Sequence, residues 1–137
     1  MTINVLLFEY KEYEKEFFKK HIPDGFNITF FEESLNKDNV NDIPKDIRDK
    51  TTAIMVCTNS QIDKEVINSF KNLRIVTTRS NSYTHICHKA ADERNIAIFN
   101  IDFCNDEKPE ENSDKILQTS IDQMRDMIKG KNIYGSV

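Results

Sequence analysis

The residues with the most chemical capacity lie between Leu73 and Ile101, in LRIVTTRSNSYTHICHKAADERNIAIFNI. The loop Arg79-Ser80-Asn81-Ser82-Tyr83 follows a strand-like run, Arg74 to Thr78. Hydroxyls, an amide and backbone N–H groups can together hold a small anion. A guanidinium can join them or pair with an acid on a helix. In open α/β sheets, ligands bind at the loops beyond the carboxyl ends of the strands. Downstream, His85-x-Cys87-His88 brings two imidazoles and a thiol. Zinc needs three or four converging ligands, and His85 and Cys87 diverge on one helical turn. The pattern therefore reads against a metal site, with Cys87 a buried or inert thiol. A thiol near a helix N-terminus is nevertheless where a lowered pKa and reactivity arise, which keeps Cys87 in view.

These residues need a frame, and the rest of the chain supplies one. Asn4 to Phe8 is an apolar run suited to a strand buried on both faces. Glu12 to His21 carries Tyr13, Phe17 and Phe18 at helical spacing, with Ile22 extending that face. A Pro23-Asp24-Gly25 turn leads to the alternating strand Phe26 to Phe30, placed at or near an edge. Val40, Ile43 and Ile47 mark a short amphipathic helix interrupted by Pro44. Thr52 to Cys57 is a third strand, Ile62 to Phe70 a helix with Asp63 near its start, and Arg74 to Thr78 the fourth strand. Thr84 is positioned to N-cap a helix over His85 to Asn95, and Ile96 to Ile101 is the fifth strand. Alternation of strands and helices with short loops predicts an α/β fold. The expectation is a flavodoxin-like, doubly wound, parallel five-stranded sheet of order 2-1-3-4-5. An acidic stretch, residues 102–114, reads as a linker, and residues 115–130 as an added helix with Leu117, Ile121, Met124 and Ile128 on its apolar side. The whole of 1–137 is thus expected to form a single domain with a core over 1–101.

Composition narrows the function. The chain has 137 residues, a net charge of −4 and interspersed acids and bases, which argues against nucleic acid as a partner. It has no apolar run long enough to span a bilayer and no basic, apolar leader, so the expectation is no membrane and a cytoplasmic protein. The three cysteines, Cys57, Cys87 and Cys104, form no C-x-x-C pair and read as reduced. Only Gly25, Gly130 and Gly135 are glycines, too few for a phosphate-cradling loop. After the first strand, Glu9-Tyr10-Lys11-Glu12 lacks the small hydroxylated residues that flavin mononucleotide requires. A lone Glu9 with Thr58-Asn59 also lacks the acidic set of a phosphoacceptor domain.

The Leu73–Ile101 stretch resembles the last βαβ unit of the substrate-binding (catalytic) domain in D-isomer-specific 2-hydroxyacid dehydrogenases. That family runs roughly L-[RK]-x-I-x-x-R-[SCA]-x-G-[FY]-[DN]-[NH]-[IV]-D, followed by a helix with A-A-x-x-x-[GN]-I and then V-x-N-V-P. Thr119 to Met124 and Ile128 to Lys131 are similar to the family's C-terminal segment. The resemblance covers roughly residues 3–101 and 115–132. It implies substrate contacts from Ser80, Asn81 and Ser82, from Phe8, Glu9 and Tyr10, and from Thr58 and Asn59. It also implies an Arg79 kept without a catalytic role, and a His85 in a surface or capping role, since the family often has His there. The family's Gly is Ser82 here, its Asp is Cys87 and its last Pro is Asp102. A Cβ at Ser82 sits badly if that position needs positive φ.

The family's catalytic Arg, His and Glu, and its G-x-G-x-x-G loop for NAD, have no counterpart in these residues. The expectation is a stand-alone remnant of the substrate domain, inactive by itself and free of cofactor and metal. Its ligand is expected to be a small 2-hydroxy or 2-oxo acid at Ser80, Asn81, Ser82, Tyr10 and Asn59, or a protein at the exposed strand carboxyl ends. The alternatives are a shortened dehydrogenase that uses a nucleotide-binding domain in trans, and a ligand-free interaction domain.

Overall fold

The structure is a computed structural model and describes residues 3–22, 24–80, 82–100, 118, 119, 121–123 and 125. Five strands, β1 (Ile3–Phe8), β2 (Phe26–Phe31), β3 (Thr51–Val56), β4 (Ile75–Thr78) and β5 (Ala97–Asn100), form one sheet of order β2-β1-β3-β4-β5. Every pairing is parallel, as the apolar runs predict, and the alternating β2 takes the edge. The chain reverses direction across the sheet between β1 and β3. In this topology the carboxyl ends of those two strands flank the crevice where ligands usually bind.

Alternation of side chains across the sheet creates two cores. On one face Leu6, Phe8, Ile54, Val56 and Val76 pack under α3 (Lys64–Asn68), α4 (His88–Glu93) and the segment around Val40 and Ile43. On the other, Val5, Leu7, Met55 and Phe99 meet Phe17 and Phe18 of α1 (Glu12–His21). Ile121 is fully buried in this second core. The described C-terminal residues around Ile121 thus lie on the α1 face. The acidic stretch 102–114, Leu117, Met124, Ile128 and Gly130 lie outside the described residues.

Several local expectations are corrected. The polar stretch before β3 holds a 3-10 turn, Val40–Asp42, and then α2 (Lys45–Lys50), split at Pro44. Ile22 and Ile47 do not extend a buried face; they are 38% and 41% exposed. Ile22 follows the last turn of α1 with extended backbone, so it leaves the helical stripe. Thr84 caps nothing, because α4 starts at His88 with Cys87 as its N-cap residue. The cause is a parallel bridge between Ile62 and Ile86. Ile62 N–H donates to His85 O at 2.8 Å and Cys87 N–H to Ile62 O at 2.8 Å, which holds this segment extended. The same bridge delays α3, whose N-cap Asp63 accepts from Val66 N–H at 3.0 Å.

Candidate functional site

The loops at the carboxyl end of the sheet form two neighbouring polar centres. The first closes the β1/β3 crevice. Among the described residues, Glu9 is one of two non-glycine residues with positive φ, at 59°. This left-handed turn sends its side chain towards the loop after β3. There the carboxylate accepts from Cys57 N–H at 2.9 Å, Asn59 N–H at 3.1 Å and Ser60 Oγ at 2.6 Å. Charge-assisted bonds of this kind outweigh the modest conformational cost of the turn. The crevice therefore contains a carboxylate already, supplied by the chain itself.

Beneath it lies a buried ion pair. Arg79 is 1% exposed, and its Nε lies against Glu14 Oε2. Its Nη2 donates to Phe8 O and Glu9 O, each at 2.9 Å, and to Glu14 Oε1 at 3.2 Å, while Nη1 donates to Val56 O at 3.1 Å. Glu14 also accepts from Lys11 N–H at 2.9 Å. One guanidinium thereby ties the ends of β1, β3 and β4 to the start of α1. It serves the framework rather than a ligand, and its acid is buried in the helix interface rather than on a helix surface. Glu14 lies three and four residues before Phe17 and Phe18, on the inward stripe of α1. That spacing is the signal by which sequence reasoning could have found it.

The second centre is the β4 loop. Ser80 is fully buried and Ser82 half-buried, and Asn81 lies outside the described residues. Ser80 Oγ donates to Ser82 O at 3.0 Å and lies 2.7 Å from Thr78 Oγ1, which in turn is 2.9 Å from His85 Nε2. His85 is therefore a buried member of a polar chain, not a surface or capping residue. Burial lowers its pKa below the ordinary 6.5, with the nearby Glu9 charge opposing and His88 reinforcing that effect. Ser82 is tied to the following residues as well. Its hydroxyl accepts from Thr84 N–H at 3.2 Å. Tyr83 donates its hydroxyl hydrogen to Asn100 Oδ1 and stands edge-on to His88.

The five residues expected to form one site are not all brought together. Ser80 and Ser82 share the β4 loop. Asn59 is exposed on the β3 loop, with its backbone N–H engaged by Glu9. Tyr10 turns towards the β2 edge, where it meets Phe30 edge-on and its hydroxyl lies 3.4 Å from Glu32 Oε1. Lys15 Nζ sits 5.2 Å from the Tyr10 ring centre. Cys57 Sγ contacts Arg79 O at 3.4 Å, and Cys87 packs against the first core. Among the described residues, no three His, Cys, Asp or Glu side chains are placed to hold a metal. None of the described helices is long and apolar enough to cross a membrane. A cleft of about 550 Å³ lined by Phe8, Phe31, Ile43 and Ile47 lies at the β2 edge.

Sheet order and helix placement define a class: a doubly wound α/β domain built on a parallel five-stranded sheet. A sequence model described as "D-isomer specific 2-hydroxyacid dehydrogenase, catalytic domain" matches residues 5–137. The chain belongs to that family. Among solved structures, the Aquifex aeolicus D-lactate dehydrogenase complexed with NAD and lactic acid is similar, with TM-score 0.63 and 18% identity over 93% of this chain and 37% of that one. The Escherichia coli D-lactate dehydrogenase apo-structure gives TM-score 0.61 and 17% identity over 72% of this chain and 31% of that one. A Treponema pallidum D-lactate dehydrogenase gives TM-score 0.61 and 15% identity over 97% and 41%. At these identities the likeness shows the fold. The chain spans between three and about four tenths of the length of these structures. No curated protein matches it in sequence.

Proposed function

We propose that these residues act as the acid-binding half of a 2-hydroxyacid dehydrogenase-type site and do not carry out hydride transfer by themselves. The ligand is a small 2-oxo or 2-hydroxy acid, held by backbone N–H groups of the Ser80–Tyr83 loop. The observation that carries this reading is the contrast between the two centres. The donors of the β1/β3 crevice are taken by Glu9, whereas the backbone N–H groups of Ser82 and Tyr83 have no protein acceptor among the described residues. A buried polar frame with outward donors at a strand's carboxyl end suits a carboxylate.

NAD does not fit the residues at the switch point. A dinucleotide pyrophosphate needs free N–H groups on a glycine-rich turn. The turn after β1 instead presents the Glu9 carboxylate, which repels phosphate and has already engaged the nearest donors. Hydride transfer therefore calls for a nucleotide-binding domain beyond these described residues. One that is contributed in trans is the natural second reading, because the family pairs two such domains.

Thermal shift with pyruvate, D-lactate and NADH separates these possibilities. Stabilisation by pyruvate or D-lactate alone is the expected result. A response to NADH in the absence of acid would contradict the proposal. Silence towards all three would leave a protein-binding role in its place.

A further inference from the structure

The hydrogen bonds of the β4 loop have directions that follow from counting hydrogens. Ser82 O can only accept, so the Ser80 hydroxyl commits its one hydrogen to it, at 3.0 Å. Ser80 Oγ must then accept from Thr78 Oγ1, 2.7 Å away. Thr78 has now used its only hydrogen, so the 2.9 Å contact with His85 Nε2 requires the ring to donate. Any other assignment leaves one close contact between polar atoms with no hydrogen in it, which is costly where both partners are buried. Thr78 and Ser80 are fully buried and His85 nearly so. The chain therefore runs from His85 Nε2–H through Thr78 and Ser80 to Ser82 O.

Its endpoint is a peptide plane. None of the peptide bonds between described residues is cis, so the Ser82 carbonyl and the Tyr83 N–H point in opposite directions. Holding Ser82 O towards the buried Ser80 hydroxyl turns Tyr83 N–H away from it, to the open side of the loop. That N–H has no protein acceptor among the described residues. The flanks of this peptide are also fixed, by Thr84 N–H on Ser82 Oγ and by the Tyr83 ring between Asn100 and His88.

We propose that His85, as the Nε2–H tautomer, is a positioning residue: through Thr78 and Ser80 it sets the Ser82–Tyr83 peptide so that Tyr83 N–H is presented to the carboxylate of a small 2-oxo or 2-hydroxy acid. This rests on the reading of the β4 loop as the acid site. His85 need not touch the acid. Its substitution acts through the orientation of one peptide, and a side-chain amide that keeps a donor at the place of Nε2 can replace it.

The full chain labelled with ¹⁵N tests this in two ways. Imidazole nitrogen shifts of the wild type should report Nε2–H for neutral His85. His85→Leu should move the amide resonance of Tyr83, as its peptide loses its fixed orientation, and weaken pyruvate binding about tenfold, the scale of one lost buried hydrogen bond. His85→Gln should stay close to wild type in both. Thr78→Val cuts the chain at its middle and should reproduce the Leu phenotype should His85→Leu fold poorly. An Nδ1–H tautomer, a wild-type Tyr83 amide resonance in both cutting variants, or a Gln variant as impaired as the Leu variant overturns the positioning role. If the tautomer and the Tyr83 resonance behave as stated but the wild type ignores pyruvate, the acid-site reading fails, and with it the ligand assigned to Tyr83 N–H.

Discussion

Two polar centres lie side by side at the carboxyl end of one sheet, and they use their hydrogen bonds differently. At the β1/β3 crevice, Glu9 and Arg79 engage Cys57, Asn59, Ser60 and the carbonyls of Phe8, Glu9 and Val56. Donors and acceptors there satisfy one another across strands. At the β4 loop the buried groups Thr78, Ser80 and His85 satisfy one another inwards, and the backbone donors of Ser82 and Tyr83 point elsewhere. The difference teaches that the topological switch point need not be the open site of such a sheet. An internal carboxylate can lock it and leave the neighbouring loop available.

The largest expected effect breaks the locked side. Arg79→Met leaves the Glu14 carboxylate buried without its partner, and the loss should be about 3–5 kcal/mol in chemical denaturation. Replacing both residues with apolar ones of similar size should recover much of it, since the pair's own net worth is smaller than the penalty for orphaning one charge. Next comes Glu9→Ala, which frees three donors and should cost roughly 1–3 kcal/mol. Glu9→Gly also removes the carboxylate but suits positive φ, so it should be about 1 kcal/mol less harmful than Glu9→Ala. Equal losses in the two variants would show that the left-handed backbone carries no strain.

A smaller effect sharpens the contrast from inside the sheet. Thr77 Oγ1 is buried with no hydrogen-bond partner among the described residues, unlike the neighbouring Thr78. Thr77→Val should be neutral or more stable by about 1 kcal/mol, whereas Thr78→Val should be destabilising. The gentlest probe is pH. Burial holds the His85 pKa below 6.5, so the unfolded chain binds the proton more readily than the folded one. The His85 contribution is fully present above about 6.5, and stability should fall as pH drops from there towards the depressed value. His85→Gln should flatten that part of the curve in urea melts taken at successive pH values.

The frame was readable from the sequence because its signals are local. Apolar runs at Val5–Phe8 and Ala53–Val56, helical spacing of Phe17 and Phe18, and polar alternation in Phe26–Phe31 suffice for strand order and edge. Nothing local announces the role of Glu9, whose partners are backbone N–H groups some fifty residues away and whose positive φ occurs in a residue type that seldom adopts it. The displaced start of α4 has the same origin: the Ile62–Ile86 bridge overrides the capping propensity of Thr84. His85 read as a surface residue because its partner Thr78 belongs to a strand, where polar side chains give no hint of which neighbour they will meet. Ser80 was identified as a site residue from its loop position, yet its complete burial makes it a support for the loop.

The most direct test is a backbone amide map of the ¹⁵N-labelled chain titrated with pyruvate. The shifts should concentrate at Ser82 and Tyr83 and spare Cys57 and Asn59, whose N–H groups are held by Glu9. Shifts centred on Cys57 and Asn59 with a quiet β4 loop would contradict the assignment of a locked crevice beside an open acid-binding loop.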